Sequence, residues 1–270
     1  MNLDVLGCIL AVVVLAWLLW FLWNVVRGYT RSRATRILRV LVAFVVALVL
    51  VGWGAYWLMD SRTVQVLGDH VSRVATTRKV VALTFDDGPD DAYVSDIIGD
   101  LQRAQAKGTF YVIGSEAAAH PDALRALVAA GEEIGNHTYD HRRLVFVSTT
   151  TVRNEVSRTD ALIRAAGYTG RITVRPPYAK KLLSYPFEMA AGGRITVMWD
   201  LEPDSKSSIR NDPRAMTRCV VDNVRPGSII ELHPWSPGNA ATRKAIPMIE
   251  EELRREGYAF VTVSQLLALR

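Results

Sequence analysis

Residues 80–90 read VVALTFDDGPD: a short β-rich apolar run, two adjacent acids, then a Gly-Pro turn. A continuous apolar run of this length, bounded by turn residues, predicts a buried strand. Two like charges at the end of such a strand repel, so the arrangement requires a positive partner close by. Downstream the pattern repeats. Residues 92–106 place Val94, Ile97, Ile98 and Leu101 on one helical face, and GTFYVIG (108–114) is a second strand. Pro121 suits the first turn of a helix running to Ala130, Gly131 ends it, and EEIGNH (132–137) is a short strand. An amphipathic helix is expected over 149–166 and further helices over 212–224 and 241–256. Strands are expected at 171–176, 194–200, 227–232 and 258–263. Short buried strands alternating with helices predict an α/β fold with a parallel sheet or barrel. In such barrels the chemistry gathers at the C-terminal strand ends.

Those ends carry Asp86 and Asp87, then His137 and His141 in NHTYDH, Arg175 in RPPY, WDLEPDSK (199–206), and His233 in IIELHPW. Singly each is an ordinary feature; together they form a constellation. One aspartate and two neutral imidazoles make a three-ligand set suited to zinc, with positions left for water and substrate. A divalent cation offsets the repulsion of the acid pair and leaves one carboxylate free to act as general base. Arg175 is placed to keep that base ionised and oriented, and His233 to donate a proton from the opposite side. His70 and His120 lie outside the constellation and read as structural.

The N-terminal part is of a different kind. Half of the 270 residues are hydrophobic, and Val5–Trp23 and Val40–Met59 contain no charge at all. Each run matches the roughly 20 residues needed to cross a bilayer. Two transmembrane helices are therefore expected, at about 5–26 and 40–59, making 1–59 a membrane anchor. Arg27, Arg31, Arg33, Arg36 and Arg39 lie between them with no acid, which puts this loop in the cytoplasm and the rest of the chain outside it. Residues 60–79 are expected to be a linker and 80–270 the outer domain. Without the loop arginines and Asp4, 27 basic residues stand against 26 acidic ones, so the net charge of +5 reports topology and gives no nucleic-acid surface.

TFDDGP, GNHTYDH, RPPY and the strand ending in His233 resemble, in order, the motifs of the polysaccharide deacetylases, the NodB-homology carbohydrate esterases. The resemblance spans about residues 78–268 and includes FVTVSQLL (260–267). It implies a distorted barrel of about seven parallel strands and metal-dependent removal of N-acetyl groups from GlcNAc-type polymers; with the topology above, the expected enzyme is one of the cytoplasmic membrane acting on an extracytoplasmic polysaccharide, peptidoglycan or another GlcNAc-containing glycan. It also implies residue roles. Asp86 is the base; Asp87, His137 and His141 hold a divalent metal, Zn2+ by preference. Arg175 orients Asp86, the backbone N–H of Tyr178 faces the oxyanion, and His233 is the general acid.

Two departures stand out. The family's Asp-Trp, whose acid supports the catalytic histidine, is missing from WDLEPDSK; Asp204 is the choice for that acid, with Asp200 and Glu202 open. Glu231 replaces the apolar residue two before the histidine, and strand alternation turns it to the same side as His233. That acid motivates an alternative, hydrolysis of another amide or an O-acyl ester. A non-catalytic glycan-binding protein on the same fold is a further alternative, against which intact Asp86 and His233 speak.

Overall fold

The computed structural model describes Trp20, Asn24 and residues 33–270. The first expected membrane helix, at about 5–26, otherwise lies outside the described residues. Over the second, an apolar helix is present that begins earlier than the uncharged run: helix α1 spans Arg33–Asp60 and takes in Arg33, Arg36 and Arg39. Arginine is a good helix former, so nothing in that stretch breaks the helix. Its 28 residues extend about 42 Å, beyond the roughly 30 Å of a bilayer core. It is the one helix among the described residues long and apolar enough to cross a membrane. The chain divides into two compact units, before and after Trp57/Leu58.

The second unit contains strands β1 (Asp69–Val71), β2 (Val80–Asp86), β3 (Thr109–Val112), β4 (Glu133–Asn136), β5 (Ile195–Val197), β6 (Ile229–Leu232) and β7 (Ala259–Phe260). Every pairing between them is parallel. The order β4-β3-β2-β6 forms the main sheet, β7 joins the start of β2, and β1 pairs β5. Val174 bridges Asn136 on one side and Thr196 on the other, while Leu201 bridges Ile230. The pairings thus run from β2 through β3, β4 and Val174 to β5, and the chain leaving β5 reaches Leu201, which bridges β6, itself paired with β2.

Strand β2 is buried along its whole length, which is why it reads as an uninterrupted apolar run. Helices α2 (Val94–Arg103), α3 (Gly114–Ala119), α4 (Pro121–Ala129), α5 (Thr149–Ala165), α6 (Ser184–Ala191), α7 (Pro213–Val221) and α8 (Ala240–Arg255) surround the strands. Val94, Ile97 and Leu101 of α2, Leu124 and Leu127 of α4, Met216 and Val220 of α7, and Ile246 and Ile249 of α8 join Leu83, Phe85 and Phe110 in one apolar cluster. Each such side chain, fully buried, contributes about 1.5–3 kcal/mol of transfer free energy.

Four expectations change. Residues 171–176 form no strand, because Pro176 and Pro177 have no N–H to continue a ladder; pairing is confined to bridges at Val174. The strand expected over 258–263 stops at Phe260, because Thr262 and Gln265 form a capping box that starts helix α9 (Val263–Leu267). Helices α3 and α6 were not predicted. The stretch 60–79, expected as a linker, supplies β1 and the buried Val71 and Val74. Gly227 makes room for it: its φ is +82°, and an added Cβ would lie 1.9 Å from the Val74 carbonyl oxygen. A three-residue strand shows no periodicity, so β1 is silent in the sequence.

Candidate active site

The strand ends open onto one cavity of about 870 Å³, lined among others by Asp86, Asp87, His137, His141, Glu231 and His233. Asp86 is the last residue of β2, and Asp87 turns away at once with φ +74°. The turn passes close beneath Trp235, whose ring leaves no space for a Cβ on Gly88 (2.2 Å). His137 follows β4, and the loop to His141 is held from outside. Glu155, on the core face of α5, accepts the N–H groups of Tyr139 and Asp140, both at 2.9 Å. His141 and Tyr178 also take left-handed φ values, +50° and +58°. Such conformations are costly for residues with side chains and persist only where the surroundings impose them.

Arg175 is fully buried. Its Nε and Nη2 donate to the carbonyls of Val197 (3.1 Å) and Met198 (3.2 Å). Nη1 donates to Asp86 Oδ1 at 2.6 Å, Thr84 Oγ1 at 2.9 Å and Glu231 Oε1 at 3.4 Å. This guanidinium is a positive partner that the acid pair required. Against it, burial first and the Asp86 charge second raise the Glu231 carboxyl well above the usual range.

Beside it, Asp87 Oδ1 lies 3.1 Å from His141 Nε2 and 3.5 Å from His137 Nε2. His137 Nδ1 is 2.9 Å from the Arg175 carbonyl, to which it can only donate, so Nε2 carries a lone pair. Burial, opposed in part by Asp86 and Asp87, pulls His137 down to about 4, so it is neutral at physiological pH. Burial pushes the Asp87 carboxyl upward, but its hydrogen bond to His141 and the charges of His137, His233 and His141 hold it well below the ordinary range. A neutral imidazole lone pair thus faces carboxylate oxygens at 3.5–3.6 Å with no proton between them. That arrangement fits a cation, and the donor atoms of Asp87, His137 and His141 lie within 4.8 Å of one another.

Across the cavity, His233 meets Asp204 twice: its N–H donates to Oδ2 at 2.7 Å, and Nδ1 lies 3.2 Å from Oδ1. Burial opposes the charged imidazole, but the Asp204 hydrogen bond and the charges of Asp204, Asp86 and Asp87 push it up to about 9. The other two acids are engaged elsewhere. Asp200 accepts from Ser228 Oγ and Ile229 N–H, both at 2.8 Å, and Glu202 from Trp199 Nε1 at 2.8 Å. The N–H groups of Ala179 and Lys180 turn back to the Pro176 and Pro177 carbonyls, leaving that of Tyr178 without an acceptor among the described residues. The Tyr178 ring lies against His141, centroids 4.6 Å apart. His70 and His120 stay outside the cavity, on the Arg62 carbonyl and on Asp91.

Seven of the eight site residues singled out in the sequence line the cavity, and the eighth, Arg175, is buried behind it against Asp86. Thr84 and Glu155 were missed. Thr84 is one more β-branched residue in an apolar strand and carries no signal. Glu155 does: it is an acid among Val152, Val156 and Ile163 on the buried side of α5.

A parallel α/β frame with an acid pair, two histidines and a buried arginine converging at its strand ends is the frame of a hydrolase. The polysaccharide deacetylase family model matches residues 73–187. The chain is 30% identical over 195 residues to a peptidoglycan-N-acetylglucosamine deacetylase of Bacillus cereus, covering 72% of this chain and 91% of the relative. It is 32% identical over 195 residues to the peptidoglycan-N-acetylmuramic acid deacetylase PdaC of Bacillus subtilis, covering 72% of this chain and 40% of that longer one. A crystal structure of the Bc1960 peptidoglycan N-acetylglucosamine deacetylase superposes with a TM-score of 0.68 at 27% identity, over 73% of this chain and 92% of that one. The chain belongs to the polysaccharide deacetylase family and is a hydrolase of that class.

Removing the guanidinium should expose what it balances. Arg175→Met leaves Asp86 and Glu231 buried without a counter-charge and is expected to cost about 3–5 kcal/mol at neutral pH. The cost should shrink as falling pH lets a carboxylate left without its counter-charge take up a proton, so thermal melting at pH 7 and pH 4.5 should show the larger drop at pH 7. An equal drop at both would show that Arg175 acts through packing alone.

Proposed function

We propose that this enzyme removes N-acetyl groups from a GlcNAc-containing polysaccharide outside the cytoplasm, peptidoglycan first, with a divalent metal, zinc by preference. The observation that carries the metal is the His137 lone pair turned toward Asp86 and Asp87 beside His141. The peptidoglycan deacetylases among its relatives support the substrate class. Asp87, His137 and His141 would hold the ion, which when bound supplies Lewis acidity toward the acyl oxygen and acidifies the attacking water.

The chain's own groups do the rest. Asp86, held by the Arg175 guanidinium at 2.6 Å, takes the proton of the attacking water as its oxygen bonds to the acyl carbon. The Tyr178 N–H faces the oxygen on which negative charge develops. His233, with Nδ1 occupied by Asp204, presents Nε2 to the leaving nitrogen and gives it a proton as the C–N bond breaks. Acetate and a free amine are the products.

Asp86→Asn should reduce acetate release from GlcNAc oligomers and peptidoglycan roughly 10²–10⁴-fold while leaving bound zinc unchanged in metal analysis. Acetate release unaffected by that substitution would reject Asp86 as the base, and loss of the zinc would make it a ligand.

His233 acts as an acid only while protonated, and its value near 9 keeps it so through neutral pH. Activity is therefore expected to fall as pH rises through about 9. Asp204→Asn removes the hydrogen bond and charge that raise it, so the alkaline limb of kcat/KM should move toward the ordinary histidine range. A limb that stays in place would remove Asp204 from this role.

Residues 1–59 are proposed as a membrane anchor with its arginine-rich loop in the cytoplasm, ahead of the lead-in at 60–79 and the catalytic domain at 80–270. Helix α1 supports it, being long enough to span and flanked by arginines on one side. A C-terminal alkaline phosphatase fusion, active only outside the cytoplasm, is expected to be active. An inactive fusion, with a cytoplasmic reporter active in its place, inverts the topology.

A further inference from the structure

Glu231 is an acid on the floor of the cavity that the mechanism above does not use. It belongs to β6 and is 2% exposed. Its Oε1 receives only the long 3.4 Å contact from Arg175, whose shorter bonds go to Asp86 and Thr84, and its Oε2 is buried without a hydrogen-bond donor among the described residues. One guanidinium serves two carboxyls here, and burial beside Asp86 favours the neutral acid at Glu231. A neutral carboxyl both donates and accepts; Asp86 is placed to take its proton, and Oε2 has room for a further partner.

Position decides what meets it. A sugar polymer remains at the mouth, where Tyr178 is half exposed, and the acyl group is the part small enough to go deeper. Asp86, Arg175 and Glu231 are all buried at the bottom. Single donor atoms of Asp86, Glu231 and His233 lie within 4.8 Å of one another. An acyl carbon attacked at Asp86, on a nitrogen protonated by His233, therefore sets its remaining substituent within reach of Glu231. An acetyl methyl there covers a polar group without pairing it, whereas a hydroxyl pairs with it.

Resting on the deacylase reading above, we propose that Glu231 determines acyl specificity and selects an N-acyl group carrying a hydroxyl on the carbon beside the carbonyl, hydroxyacetyl over acetyl. The bonds made and broken are those of the same hydrolysis. Water adds to the acyl carbon, the C–N bond breaks, and hydroxyacetate and the free amine leave, with no net proton exchange at Glu231.

The test compares kcat/KM of the zinc-loaded full chain on GlcNAc pentamers and peptidoglycan fragments carrying either acyl group, reading acetate and hydroxyacetate. The wild type should favour hydroxyacetyl by roughly 10–100-fold. Glu231→Gln, which keeps a donor and an acceptor, should retain the preference, and Glu231→Leu should reverse it. A wild type that is indifferent or prefers acetyl overturns the proposal without any variant. So does a Glu231→Leu protein slowed equally on both, which would make the residue a support for Asp86 and Arg175. Release of neither acid from any of these substrates defeats the deacylase reading and this one with it, a pattern distinct from acetate release without preference.

Discussion

The guanidinium of Arg175 is the point on which this site is built. A fully buried cation is expensive unless it is paired and every N–H has an acceptor. Arg175 is paired with Asp86 of β2 and Glu231 of β6, and donates further to the Thr84 hydroxyl and to the carbonyls of Val197, the last residue of β5, and Met198. Satisfying one side chain therefore ties three strand ends together. The same residue's carbonyl receives His137 Nδ1, so it also sets which imidazole nitrogen faces the acids.

Around that centre the structure holds two titratable sets in opposite states. His137 is kept neutral by burial, while His233 is kept charged by Asp204 on the far side of the cavity. Separating the values of like groups through their surroundings is what allows one site to hold one imidazole neutral and another charged at one pH. The left-handed backbone at Asp87, His141 and Tyr178 belongs to the same design, since it directs those groups into the cavity at a cost the surrounding packing must offset.

Much of this was legible because the relevant residues fall into contiguous strand-end segments. An apolar run closed by two acids gives both the strand and its exit, and two histidines four residues apart require only a local turn to converge. The lead-in strand β1 was not legible, since three residues cannot show a period. Nor was the choice among Asp200, Glu202 and Asp204. All three lie within five positions, and each finds its partner in a different place: Ser228, Trp199 and His233. Glu155 left a trace, an acid on an otherwise apolar helix face, yet its target was hidden in another loop.

By itself the sequence determined the parallel α/β order, the residue types at each strand end and the anomaly of Glu231, because strand alternation and helical spacing are local properties of a chain. Only the tertiary structure decided which acid serves His233, which nitrogen of His137 is free, and that one guanidinium stands between Asp86 and Glu231. Those outcomes depend on burial and on contacts between segments distant in sequence, from Asp204 with His233, 29 residues apart, to Arg175 with Thr84, 91 apart. Protonation states follow from such surroundings, and surroundings exist only once the chain has folded.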